Sequence, residues 1–210
     1  EGEVRRAIPV AKWFYISSLS GHFEVLDTIL KIAKKHDIRV ALNPGWKEIS
    51  MPIKLSPYLH LLDVLIMNKE EAVRFTGVSA TNEQNIFRRI NELEPRLFVL
   101  TNGRQGVAVS DGKKIYRAWR FLEKHLIDRT GTGDAFGSGF VSGLMHRLHE
   151  NKKLEELKTE DIVYAIRLGS ANATSKIEGI GATYGLPTKH QFDVNIQWQN
   201  LSIKIENIYS

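Results

Sequence analysis

Asp128-Arg129-Thr130-Gly131-Thr132-Gly133-Asp134-Ala135-Phe136-Gly137 is the stretch whose reading decides the fold. Gly131 and Gly133 let the backbone turn sharply and expose its N–H groups with no Cβ in the way. From Ala135 onward, Phe136, Phe140, Val141, Leu144, Met145 and Leu148 recur at helical spacing and predict a helix over 134–149. A helix N-terminus carries unpaired N–H groups and a partial positive charge, which suits a developing phosphate oxyanion. Asp134, at the mouth of that hole, is placed to accept a proton from an attacking hydroxyl. Together these features predict phosphoryl transfer to an alcohol. The plain alternative is a turn in which Asp134 is an N-cap, worth ~1 kcal/mol of helix stability. Two other phosphate motifs do not fit: no Gly-Lys-Ser/Thr is present, and the glycines at 131, 133 and 137 miss the G-x-G-x-x-G spacing.

Outward from this turn, apolar β-rich runs alternate with helical patterns. Strands are expected at 12–17, 38–43, 63–67, 97–101, 106–110 and 114–118, and helices at 22–36, 69–76, 82–93, 134–149 and 159–178. Such alternation predicts an α/β protein with a mostly parallel sheet covered by helices on both faces. In open α/β sheets ligands bind at the carboxyl ends of strands. Asn43, Asn68 and Thr101 all stand at such ends. No linker divides the chain, so a single domain over 1–210 is expected, with 191–210 a tail of no assigned chemistry.

The turn, with the small-residue helix after it, closely resembles the C-terminal signature of the ribokinase-like (PfkB) carbohydrate kinases. Further matches follow in the family's order: Asn43-Pro44-Gly45, Asn68-Lys69-Glu70-Glu71, Thr101 to Gly106, Ser170-Ala171-Asn172-Ala173, then Gly181-Ala182 and Leu186-Pro187. The likeness runs from about Trp13 to Pro187. Arg129 and Thr132 depart from the commonest pattern, and Thr132 is similar to the vitamin (pyridoxal-type) kinases of the same superfamily.

The resemblance implies a three-layer α/β/α sandwich, and a kinase using ATP and Mg²⁺ on a sugar or nucleoside acceptor. It makes Asp134 the catalytic base and Gly131, Thr132 and Gly133 the anion hole. Asn68 and Glu71 would hold Mg²⁺ through water, although Asn with Glu three residues on is also a helix-capping pair. Thr101, Gly103 and Gly106 resemble the nucleotide-side loop, where a hairpin explains the glycines equally well. Asn172 matches a position lining the adenine pocket, or serves packing. Asp128 and Thr130 resemble residues beside a monovalent-cation (K⁺) site; alternatively Asp128 ties down the turn. A homodimer is compatible with the family, and the absence of cysteine with a reducing cytoplasm. The family also has an upstream segment with a β lid and most acceptor contacts, so this chain, starting at Glu1-Gly2-Glu3, is expected to be part of a longer protein. A non-catalytic nucleotide-binding fragment is the alternative.

Composition narrows the field further. With 210 residues, 42% hydrophobic and 25% charged, the chain can build a proper core. It contains no cysteine, which excludes disulfides and thiolate zinc sites. No apolar run approaches the roughly 18 residues of a membrane span. The net charge of +5 is spread along the chain without a basic–aromatic stretch, which argues against nucleic-acid binding. His146 and His149 share a helix face but have no third ligand nearby, so no transition-metal site is expected. Trp46 lies on the active rim.

Overall fold

The structure, a computed structural model, describes residues 11–119, 131–148, 154–177 and 186–209. It divides into two compact units. The first runs to Leu100 and includes Ser110–Lys113 and Tyr209; the second takes Thr101–Val109 and Lys114–Ile208.

In the first unit the order is β1 (Trp13–Ile16), α1 (Phe23–Lys35), β2 (Arg39–Leu42), α2 (Trp46–Ile49), α3 (Pro52–Leu55), β3 (Val64–Asn68), α4 (Lys69–Thr76), α5 (Glu83–Asn91) and β4 (Leu97–Thr101). The strands lie in chain order. β1 pairs β2 in parallel, Trp13 opposite Arg39 and Ile16 opposite Leu42. β2 pairs β3 in parallel, with Leu42 opposite Leu65. Val64, Leu65, Ile66 and Met67 are all buried, as expected of a parallel strand covered on both faces. On α1, Leu26, Leu30 and Ala33 are buried while Phe23 is half-buried and stacks on Tyr58. Asp63, just before β3, anchors the other end of the strands. Its carboxylate accepts the Val40 N–H at 2.7 Å, its carbonyl accepts Leu97 N–H at 3.1 Å, and Arg96 Nε lies 3.6 Å away.

The second unit holds β5 (Val107–Ser110, which ends at the border), β6 (Lys114–Ala118), α6 (Thr132–Arg147), α7 (Thr159–Ile177), α8 (Lys189–Val194), α9 (Ile196–Gln199) and β7 (Ile203–Asn207). Helix α6 starts before the expected 134 because Gly131 adopts a left-handed conformation and Thr132 and Gly133 already belong to the first turn. Helices α6 and α7 approach closely over small residues. A Cβ on Gly143 would lie 2.6 Å from Ala165 Cα, and one on Gly169 would lie 2.9 Å from the Phe136 carbonyl oxygen.

The tail is structured, which the sequence reading did not anticipate. β7 pairs antiparallel with β6, Lys114 opposite Asn207 and Ala118 opposite Ile203. Arg117 Nε donates to Glu206 Oε1 at 2.6 Å across this pair. Phe192 of α8 is fully buried with Leu168 and Ala171 of α7, and Tyr164 and Trp198 pack against it. The apolar–polar alternation of Ile203-Lys204-Ile205-Glu206 was the available signal for β7.

Candidate active site

Helix α6 opens without a side-chain cap. Its N-cap is Gly131, at φ 76° and ψ 7°, in the left-handed region that glycine adopts without strain. The first intrahelical bond runs from Ala135 N–H to the Gly131 carbonyl at 2.9 Å. The N–H groups of a first turn have no carbonyl one turn back to take them. A Cβ on Gly133 would meet nothing within 4 Å, so the approach to its N–H is open. Asp134 is the third residue of the helix and is exposed. Among the described residues its carboxylate makes no hydrogen bond or ion pair. The N-cap alternative for Asp134 does not hold, since Gly131 is the cap. Asp128 and Thr130 lie outside the described residues.

Four other helices turn an acid or amide at the same third position back onto the residue before the helix. In α4, Glu71 Oε2 accepts Asn68 N–H at 2.8 Å and Asn68 Oδ1 accepts Glu71 N–H at 2.9 Å, a complete capping box. In α8, Gln191 Oε1 accepts Thr188 N–H at 2.8 Å and Thr188 Oγ1 accepts Gln191 N–H at 3.2 Å. In α2, Glu48 Oε2 accepts Gly45 N–H at 2.8 Å. In α7, Asp161 Oδ2 accepts Lys158 N–H at 3.0 Å. The carboxylate of Asp134 is not turned back in this way and stays exposed.

Glu48 does more than cap, and the sequence reading passed over it. It is 2% exposed. Its carboxylate also accepts Leu19 N–H at 3.1 Å and Gly21 N–H at 2.5 Å, with Ser18 Oγ 3.4 Å away. It thus ties the loop after β1 to the Asn43-Pro44-Gly45 turn after β2. Gly45 must be glycine for this contact, because a Cβ there would stand 2.1 Å from Ser18 Oγ. The Gly45-x-x-Glu48 spacing, the same as Asn68-x-x-Glu71, was the signal that would have found it.

Thr101 ends β4 and leads into a tight turn in which Asn102 N–H donates to Gly106 O at 2.9 Å and Gly106 N–H to Gly103 O at 3.2 Å. Gly103 and Gly106 are both left-handed, at φ 49° and 85°. The half-buried Asn172 of α7 is brought against α6: a Cβ on Gly139 would lie 2.6 Å from its Nδ2. Trp46 is 60% exposed, and the Arg74 guanidinium sits 3.6 Å from its ring centroid. His146 is exposed, and His149 lies outside the described residues. Among the described residues no group of at least three His, Cys, Asp or Glu is placed to hold a metal, and no helix is long and apolar enough to cross a membrane.

Residues 2–189 match the pfkB family carbohydrate kinases. The chain belongs to this family. Within the pfkB family it is 32% identical over 164 residues to a ribokinase of Haemophilus influenzae, covering 77% of this chain and 48% of that protein. It is 30% identical over 136 residues to a cytidine kinase of Thermococcus kodakarensis, covering 63% of this chain and 48% of that one. The chain thus spans about half the length of the curated relatives it matches. Among solved structures, Arabidopsis thaliana ribokinase complexed with ribose and ATP superposes with a TM-score of 0.73 at 19% identity, over 96% of this chain and 60% of that one. The fold is therefore the ribokinase-like α/β/α sandwich expected from the sequence.

Proposed function

We propose that the complete protein transfers the γ-phosphoryl group of ATP to a hydroxyl of a sugar or nucleoside. The observation that carries this reading is the open N-terminus of α6, with an exposed acid at its third position where four other helices turn theirs inward. Asp134 takes the hydroxyl proton, and the freed oxygen attacks the γ-phosphorus as its bond to the β–γ bridging oxygen breaks and ADP leaves with the electron pair. The backbone N–H groups of Gly131 to Gly133 meet the charge that grows on the phosphoryl oxygens. Donors of this kind contribute typically ~3 kcal/mol each. The names of the relatives, a ribokinase and a cytidine kinase, support an acceptor of this class, and the ATP named in the Arabidopsis complex supports the donor.

Asn68 and Glu71 have the donor chemistry for Mg²⁺. A carboxylate offers roughly four lone-pair positions, and the cap takes one of them at Glu71. Carboxylate and amide oxygens hold Mg²⁺ through its bound waters, the mode Mg²⁺ prefers. When bound, Mg²⁺ would neutralise phosphate charge. The turn of Thr101, Gly103 and Gly106 is assigned to the nucleotide, as is Asn172. A K⁺ site at Asp128 and Thr130, a homodimer, a single kinase domain and a cytoplasmic location complete the proposal.

The test is an assay of the complete protein with ATP and Mg²⁺ against ribose, fructose, adenosine, cytidine and pyridoxal, with products identified by phosphorus NMR. A phosphorylated sugar or nucleoside is expected. Phosphorylation of pyridoxal alone would move the protein to the vitamin kinases, and no transfer to any acceptor would overturn the reading.

A further inference from the structure

We infer, building on the phosphotransfer reading above, that Glu48 is a positioning residue for the phosphate acceptor. It holds the loop after β1 in a strained bend, and with that bend a polar edge that receives the acceptor's hydroxyls. Glu48 Oε1 accepts the N–H groups of Leu19 and Gly21, at 3.1 and 2.5 Å, and these two residues flank Ser20. Ser20 has a φ of 56°, in the left-handed region that is strained for a residue with a Cβ. Gly21 follows at φ 83° and is seated beside α2, where a Cβ would stand 3.2 Å from Met51 Cε and 3.4 Å from Lys47 Cβ. Strained backbone of this kind persists where its surroundings fix it, and it clusters at ligand-holding segments. Here the fixing group is one buried carboxylate. Closing α2 needs only the bond to Gly45 N–H; the bonds to Leu19 and Gly21 reach 29 and 27 residues back and organise the loop.

The loop leaves β1 at its carboxyl end, the side of an open α/β sheet where ligands bind. It runs beside the turn after β2, whose Asn43 N–H donates to the Ile16 carbonyl at 2.8 Å. Ser17 is exposed and Asn43 half-buried, and among the described residues neither side chain makes a hydrogen bond. A hydroxyl and an amide each donate and accept without carrying charge. That chemistry suits the hydroxyls of a sugar or nucleoside better than a phosphate. The nucleotide is assigned to the turn after β4 and Mg²⁺ to the end of β3, so strand order leaves the ends of β2 and β1 to the acceptor. Glu48 is 2% exposed and faces backbone N–H groups, so it acts on the acceptor through the loop and not by contact.

The experiment measures steady-state kinetics of the complete wild-type protein, Glu48→Gln and the double variant Glu48→Gln with Ser20→Gly. Ribose, fructose, adenosine and cytidine serve as acceptors, with MgATP varied separately and thermal melting recorded alongside. Glutamine keeps the shape of glutamate but has one acceptor oxygen where glutamate has two, so one side of the clamp is lost. In Glu48→Gln the KM of the phosphorylated acceptor should rise about tenfold, with kcat and the KM for MgATP within about twofold. Glycine takes the left-handed bend without strain, so the double variant should return the acceptor KM to within about threefold of wild type. A merely structural role would lower the folded fraction, and with it kcat, while leaving the acceptor KM unchanged; that result overturns the inference. A double variant no better than Glu48→Gln overturns the action through the bend. Should Glu48→Gln fail to fold, Ser18→Ala carries the test. It removes an exposed hydroxyl that lies 3.4 Å from Glu48 Oε2 and accepts Ser20 N–H at 3.3 Å, and should raise the acceptor KM about threefold. An unchanged acceptor KM there overturns the role of the loop. A wild type that phosphorylates none of the acceptors overturns the phosphotransfer reading and this inference with it.

Discussion

Helices α4 and α6 each begin with a cap residue followed, three positions on, by an acid, yet they use that acid in opposite ways. In α4 the Asn68 and Glu71 side chains and backbone satisfy one another at 2.8 and 2.9 Å. In α6 the cap is a glycine with no side chain to give, and Asp134 stays exposed. A closed end stabilises its own helix; an open end leaves donors for something outside the fold. Self-satisfaction also marks α2, where Glu48 serves three backbone N–H groups. The chain can evidently close a helix start where stability is the task. The open start of α6 is therefore informative about function.

The comparison can be broken or sharpened by substitution. The largest effect on stability is expected at the most closed end. Glu48→Ala leaves the N–H groups of Leu19, Gly21 and Gly45 without their acceptor, at a cost of about 3 kcal/mol or more. Urea denaturation should show this as a lower midpoint, and a variant as stable as wild type would mean the carboxylate is not an organising group. At the open end the expectation reverses. Gly133→Ala places a methyl group in empty space, and alanine favours a helix over glycine by about 1 kcal/mol. The melting temperature should hold or rise, while turnover drops about 100-fold because the methyl group blocks the phosphate's approach. Full activity in this variant would place the phosphate elsewhere.

Smaller effects separate the two roles of Glu71. Glu71→Gln keeps the cap and its stability, since glutamine closes α8 in the same way. Glu71→Ala should lose about 1 kcal/mol, measured by thermal melting. Both substitutions should raise the Mg²⁺ concentration needed for half-maximal turnover, and identical Mg²⁺ dependence would leave Glu71 a cap alone. The smallest effect concerns pH. Burial raises the pKa of Asp63 above the ordinary aspartate value, outweighing the Val40 N–H and Arg96 that lower it. A folded-state pKa above the unfolded one gives stability that is full below the unfolded value and lost as pH rises through the folded one. Denaturation midpoints from pH 3 to 6 should therefore fall less with rising pH in Asp63→Asn than in wild type. A parallel trend in both proteins would contradict this.

Much of the fold was legible because its strands announce themselves. Val64 to Met67 and Leu97 to Leu100 are continuous apolar runs, and both are buried strands. Asn68-x-x-Glu71 was readable as a cap because a capping box is local. The start of α6 was misplaced by two residues because glycine and threonine carry weak helix preference, and only the left-handed Gly131 fixes where the turn ends. Glu48 was missed because two of its partners, Leu19 and Gly21, lie far back in the sequence. The tail was missed because Phe192 becomes a core residue only against Leu168 and Ala171. Asn172 was assigned to a ligand or to packing, and the contact against Gly139 supplies packing. Local signals gave the elements; contacts between distant segments gave the remainder.

The central claim is that the open end of α6 presents Asp134 to a substrate hydroxyl. Turnover of Asp134→Ala in the complete protein, measured beside its affinity for ATP and Mg²⁺, tests this most directly. The account predicts a fall of about 10³-fold or more in kcat with ATP affinity nearly intact. Turnover within roughly tenfold of wild type, a barrier change of only ~1.4 kcal/mol, would contradict it.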